Sequence, residues 1–189
     1  MALACPQLMG AKGQGGPVRF LRQMVGLAAL AALLTGCFRL DTEEAVRAQL
    51  GGWVFLAQTR VFTSRGTCTA AIFDTISGDL RASGPLRRVG DLRAGQHLLS
   101  QGRAVAFEIP GMTPNMVSEA LMSVNLSEGL GLISSFVGPA RACMDPSFQA
   151  DVYLALMSDE TVMIYDPATN ALVLLHRPSQ IAFFLRGNV

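Results

Sequence analysis

Cys68 with Cys143 and His97 with His176 are the side chains whose types first invite a chemical reading. The two cysteines lack Cys-x-x-Cys spacing, so dithiol redox chemistry is not indicated. In an oxidising compartment they would join as one disulfide closing a loop of about 75 residues; otherwise they are two buried thiols or a reactive one. The histidines stand about 80 residues apart with no Cys or His at ligand spacing, so no metal ligand is expected from either. Ser134-Ser135 lacks a Gly-x-Ser-x-Gly elbow, and the Gly129-Leu130-Gly131 run is no phosphate loop. No catalytic residue and no cofactor is therefore nominated. Asp74, Asp79, Asp151, Asp159 and Asp166 fall at turns and element ends, where a carboxylate caps backbone N–H groups, although two of them could meet in a cleft. Met112, Met116 and Met122 have a spacing usable for copper but no accompanying histidine, and they read as core filling. Arg81, Arg87, Arg88 and Arg93 form the densest basic stretch, diluted by Asp79 and Asp91. It is a solvated loop or a face for an anionic surface.

Cys37 has a different setting. Lys12, Arg19 and Arg22 precede an uncharged run from Gln23 to Phe38, and Leu34, Thr35 and Gly36 stand directly before Cys37. A membrane-spanning helix needs about 20 apolar residues, more than this run offers, and Arg39 follows at once. Basic region, apolar stretch and small residues follow the order of an export signal. Leu34-Thr35-Gly36-Cys37 resembles the lipobox of bacterial lipoproteins. That resemblance implies a signal peptide over residues 1–36, cleavage before Cys37, diacylglyceryl transfer to its thiol and acylation, palmitate included, of the new amino terminus. Phe38 rather than Asp after the cysteine implies sorting to the outer membrane, facing the periplasm. Residues 37–40 would then be the anchor segment. With Asp41 read as the first helix cap, Phe38 and Leu40 would suit the interfacial layer, and Arg39 and Arg47 could approach lipid phosphates.

Beyond the leader, all 14 acidic residues face all but three of the 15 basic ones. A slightly acidic remainder excludes the basic stripe of a nucleic-acid binder. Its size is that of one domain. Asp41-Thr42 followed by EEAVRAQL and Gly51-Gly52 predicts a short helix. WVFLAQTRVF and TCTAAIFDTI around Thr63–Gly66 predict a hairpin, and AVAFEI a further strand. Helices are expected from about Asp91 to Gly102, after Thr113-Pro114, over Ser127–Val137, and after Asp145-Pro146, where Phe148, Val152, Ala155 and Leu156 share a face. TVMIYD, ALVLLHR and IAFFLRG read as closing strands. Strands, then helices, then strands define an α+β domain over residues 41–189: a mostly antiparallel sheet with a central helical segment. Two functions fit this pattern. One is a non-enzymatic module at a membrane surface, held by its lipid anchor and engaging an envelope protein. The other is a lipid-anchored hydrolase using carboxylates from non-adjacent positions.

Overall fold

In the computed structural model the described residues are 40–82, 84–125, 132 and 138–187. Their apolar runs pair into one seven-stranded sheet: β1 (Val54–Arg65), β2 (Cys68–Leu80), β3 (Arg87–Val89), β4 (Val105–Phe107), β5 (Thr161–Asp166), β6 (Ala171–His176) and β7 (Ile181–Gly187). The spatial order is β1-β2-β7-β6-β5-β4-β3. Every neighbouring pair is antiparallel except β3 and β4, which are parallel and joined by a helix. Four α-helices accompany the sheet among the described residues: α1 (Glu43–Gly51), α2 (Leu92–Ser100), α3 (Pro114–Val124) and α4 (Pro146–Leu156), with a 3-10 turn at Pro139–Cys143. The α+β architecture and the mostly antiparallel sheet agree with the sequence.

Each helix begins on a side-chain cap. Asp91, Thr113 and Asp145 accept the backbone N–H of Ala94, Met116 and Phe148, and Pro114 and Pro146 follow where a missing N–H costs nothing. At α1 the expected cap is displaced by one residue. Thr42, not Asp41, accepts from Ala45, because the Asp41 carboxylate is drawn away to Arg186.

The central strands β5 and β6 are buried almost throughout, so both sheet faces are covered. With side chains alternating, Met163, Tyr165, Leu172, Leu174, Phe183 and Leu185 enter one core with residues of α2, α3 and α4. Val162, Ile164, Val173, Leu175 and Phe184 enter a second, with Val46 and Leu50 of α1 and with Trp53, Val54 and Leu80. Three register shifts interrupt the β1–β2 pairing between Val54 and Val61, the first with its extra residues on β2 and the other two on β1. Such bulges bend a strand, which suits a hairpin whose ends join the second core. Gly95 lets α2 lie directly on β4, since a Cβ there would overlap the Phe107 ring.

One feature departed from the sequence reading. The stretch before α2, expected to be loop, contains β3, whose three residues pair with Arg87 opposite Val105 and Val89 opposite Phe107. The helix expected over Ser127–Val137 lies outside the described residues apart from Leu132, which is helical and fully buried. Cys68 and Cys143 are joined, with Cα atoms 6.0 Å apart and a separation of 75 positions in sequence. The bridge ties the 3-10 turn to the start of β2. Closing such a loop contributes about 4 kcal/mol in the chain-entropy account.

Candidate functional site

Strand directions place chemistry at two opposite ends of the sheet. One end holds Asp41, the start of β2, the β5–β6 turn and the end of β7; the other holds the β6–β7 turn, the end of β4 and the start of β5. Six-residue strands separate them by about 20 Å.

At the Asp41 end a polar network crosses five parts of the chain. Asp41 Oδ1 accepts from the Arg186 guanidinium at 2.5 Å, and Oδ2 from the hydroxyl of fully buried Thr69 at 2.7 Å. A second nitrogen of Arg186 donates to Gln49 Oε1 at 3.1 Å. The Gln49 amide donates in turn to Asp166 Oδ2 and Thr169 Oγ1, at 3.2 and 3.0 Å. Thr169 and the Ala168 N–H also donate to Asp166. Arg186 lies 5.1 Å over the Phe184 ring. The arrangement fastens residue 41 and α1 to β2, β7 and the β5–β6 turn. Arg47, expected to reach outward to phosphates, turns inward instead: it donates to Ala57 O at 2.7 Å and Thr59 Oγ1 at 2.8 Å. A guanidinium satisfied by a backbone carbonyl and a hydroxyl is no longer free for a headgroup.

At the opposite end Glu108 follows β4 and accepts from Arg88 Nε at 2.5 Å and from Arg177. Burial pushes this carboxyl up, but the hydrogen bonds and charges of the two arginines together hold it below the ordinary glutamate value of 4.5. Arg177 also donates to Gly78 O at 3.2 Å, closing the bend of β2 onto the β6–β7 turn. Glu108, Arg177, Asp159 and Thr161 line a cavity of about 170 Å³. A second cavity, about 280 Å³, is lined by Arg60, Asp151, Leu154, His176, Ser179 and Phe183. His176 Nδ1 meets Ser179 Oγ at 2.6 Å across the β6–β7 turn. Arg60 is paired with Asp74 at 2.5 Å, and the bonds from Arg60 and Gln58 lower the Asp74 carboxyl.

The remaining candidates are dispersed. His97 is exposed on α2 and meets Gln101 at 2.9 Å. Among the described residues no three His, Cys, Asp or Glu side chains converge as a metal site would require. Asp79 accepts from Ser77, Asp145 caps α4, and Asp166 belongs to the network above. Of the methionines, Met112 packs on the first core, Met122 is half-buried and Met116 is exposed. The basic stretch does not act as one patch. Arg81 donates to Val54 O and stacks 4.3 Å over Phe55, while Arg88 is committed to Glu108, leaving Arg87 and Arg93 as its exposed remainder. Leu34, Thr35, Gly36 and Cys37 lie outside the described residues, as do Ser134, Ser135 and Gly129 to Gly131. No helix among the described residues is long and apolar enough to cross a membrane.

Sequence reasoning did not single out Arg186, Gln49 or Thr69, because their partners are 28 to 145 residues away. It also missed the outward side of α4, where Tyr153, Leu154 and Met157 are exposed. The signal was present in the composition of that helix, which is apolar on more than one side. No protein-family model matches this chain, and no curated protein or solved structure matches it either.

Proposed function

We propose that the chain is a lipoprotein of the bacterial cell envelope, anchored through Cys37 in the outer membrane with its domain on the periplasmic side, and that it works as an interaction or accessory module at the membrane surface. The observation that supports this reading is the fastening of Asp41 by Arg186 and Thr69. Asp41, held by these contacts, stands four positions after Cys37 in the sequence. The three intervening residues reach about 10 Å when fully extended. A cysteine lipidated at that point holds the Asp41 end of the sheet against the headgroup layer, with exposed Leu40 beside it. The Arg177 end, with its two cavities, is carried toward the aqueous side. The disulfide suits an oxidising compartment.

Metabolic labelling with a radioactive or clickable fatty acid tests the anchor. The parent chain takes the label and fractionates with membranes, whereas Cys37→Ala takes none and accumulates unprocessed. Equal labelling of the two chains would overturn the assignment.

A further inference from the structure

Helix α4 is apolar on both sides. Phe148, Val152, Ala155 and Leu156 are buried against the sheet. On the other side Ala150, Tyr153, Leu154 and Met157, at i, i+3, i+4 and i+7, face solvent, and the last three are 62, 66 and 50% exposed. Such a stripe on a surface helix is normally covered. A cavity runs along each flank of this ridge. One, about 370 Å³, is lined by Arg141, Met144, Gln149 and Tyr153; the other, about 280 Å³, takes Leu154 and Asp151. A ridge between two grooves is the relief into which the side chains of a second helix interdigitate.

Charge selects among the occupants. Asp145, Asp151, Asp159 and Glu160 are all exposed along or just beyond α4. Against them stand Arg141, whose Nε is held by Gln149, Arg65, which donates to Ala142 O, and Arg60, already paired with Asp74, which leaves the four carboxylates in excess. An anionic lipid surface is repelled by this acidic rim. A second copy of the chain would bring like rims together. A basic amphipathic helix meets both the ridge and the rim.

We propose that the outer face of α4, centred on Tyr153, Leu154 and Met157, docks a basic amphipathic helix of a partner protein. The proposal names a partner class for the interaction module described above and rests on that reading, but it does not depend on Cys37.

The test uses the full chain, solubilised in detergent, and two synthetic helical peptides with the same leucine stripe, one with a lysine polar face and one with a glutamate polar face. Fluorescence anisotropy should show binding of the lysine peptide only. Leu154→Glu should weaken it about tenfold or more, as loss of a central anchor does, and Asp151→Lys by several-fold. Both positions are exposed, so circular dichroism should show the fold retained in each variant. Binding of both peptides alike, or undiminished binding by Leu154→Glu, would overturn the proposal. So would a dimer dissolved by Leu154→Glu, which would make the occupant a second copy, or binding to anionic vesicles lost in that variant, which would make it lipid. Cys37→Ala should bind the lysine peptide as the parent does. Failure of fatty-acid labelling thus removes the anchor and leaves docking standing, whereas failure of peptide binding with labelling intact removes only this face.

Discussion

The Asp41 end and the Arg177 end of the sheet are both built around arginine–carboxylate contacts, yet they differ in depth. Asp41 and Arg186 are each only 15% exposed; the second Asp41 oxygen reaches Thr69 and a second Arg186 nitrogen reaches Gln49, while Arg186 Nε is buried without a hydrogen-bond partner among the described residues. At the other end Glu108 is 18% exposed, but its partners Arg88 and Arg177 are 53 and 41% exposed. Water therefore screens one pair far more than the other. The shielded pair joins residues 145 positions apart and closes the fold on its own beginning. The open one braces a rim around cavities. Depth thus separates a fastening from a surface that can exchange partners.

The sharpest way to break this contrast is Arg186→Met. It keeps the aliphatic stem over Phe184 but leaves the Asp41 carboxylate shielded and uncompensated, along with one acceptor of Gln49. Breaking one side of such a pair costs about 3 kcal/mol, read as a lower urea midpoint with unchanged slope. Adding Asp41→Leu removes the orphaned charge and should restore much of the loss. If the double variant is no more stable than the single one, the network is not held together by that charge pair.

The same contrast of depth explains what the sequence disclosed. Capped helices were legible from Asp91, Thr113-Pro114 and Asp145-Pro146, because cap and proline act within four residues. The three closing strands were legible from their length and apolar content. β3 was not: Arg87 and Arg88 are exposed, and only pairing with β4 defines it. The Asp41 cap failed for a related reason. Locally Asp41 and Thr42 are equally good caps, and Arg186, far along the chain, decides between them. The ion pairs at both ends were invisible because they are set by which elements become neighbours, whereas the exposed side of α4 was written in that helix's own apolar composition.

A smaller effect is expected at the Arg177 end. Glu108→Gln removes a carboxylate that burial opposes and two arginines favour. With those arginines largely in water the loss at pH 7 should be about 1 kcal/mol. The sign with pH follows from the lowered carboxyl. Its stabilising contribution is complete above the ordinary value of 4.5 and is lost as pH falls through the lower folded value. Urea midpoints of the parent and Glu108→Gln should therefore differ at pH 7 and converge in acid. A difference that stays constant from pH 7 down to about 3 would show that packing of the side chain, and not its charge, is responsible.

The smallest effect compares two turns, one at each end. Asp166 pairs with Ala171 and His176 with Ile181, so both hairpins close through four residues, and both place the fourth in the left-handed region. At the Asp41 end this residue is Asn170, with φ 48° and its amide donating to Gly187 O at 3.1 Å. Asparagine tolerates that conformation, and its side chain here adds a bond. At the Arg177 end the residue is Gln180, with φ 51°. Its backbone N–H donates to Arg177 O and its carbonyl accepts from Thr75, contacts that any residue supplies. Glycine has no Cβ penalty there. Gln180→Gly should consequently raise stability by about 0.5 kcal/mol, the relief of strain being partly offset by the greater freedom of glycine in the unfolded chain. Asn170→Gly should lower it, because the same relief is smaller and the bond to Gly187 is lost. Opposite signs from one substitution at matching turn positions would place backbone strain at the Arg177 end. Equal signs would show that the two turns are energetically alike.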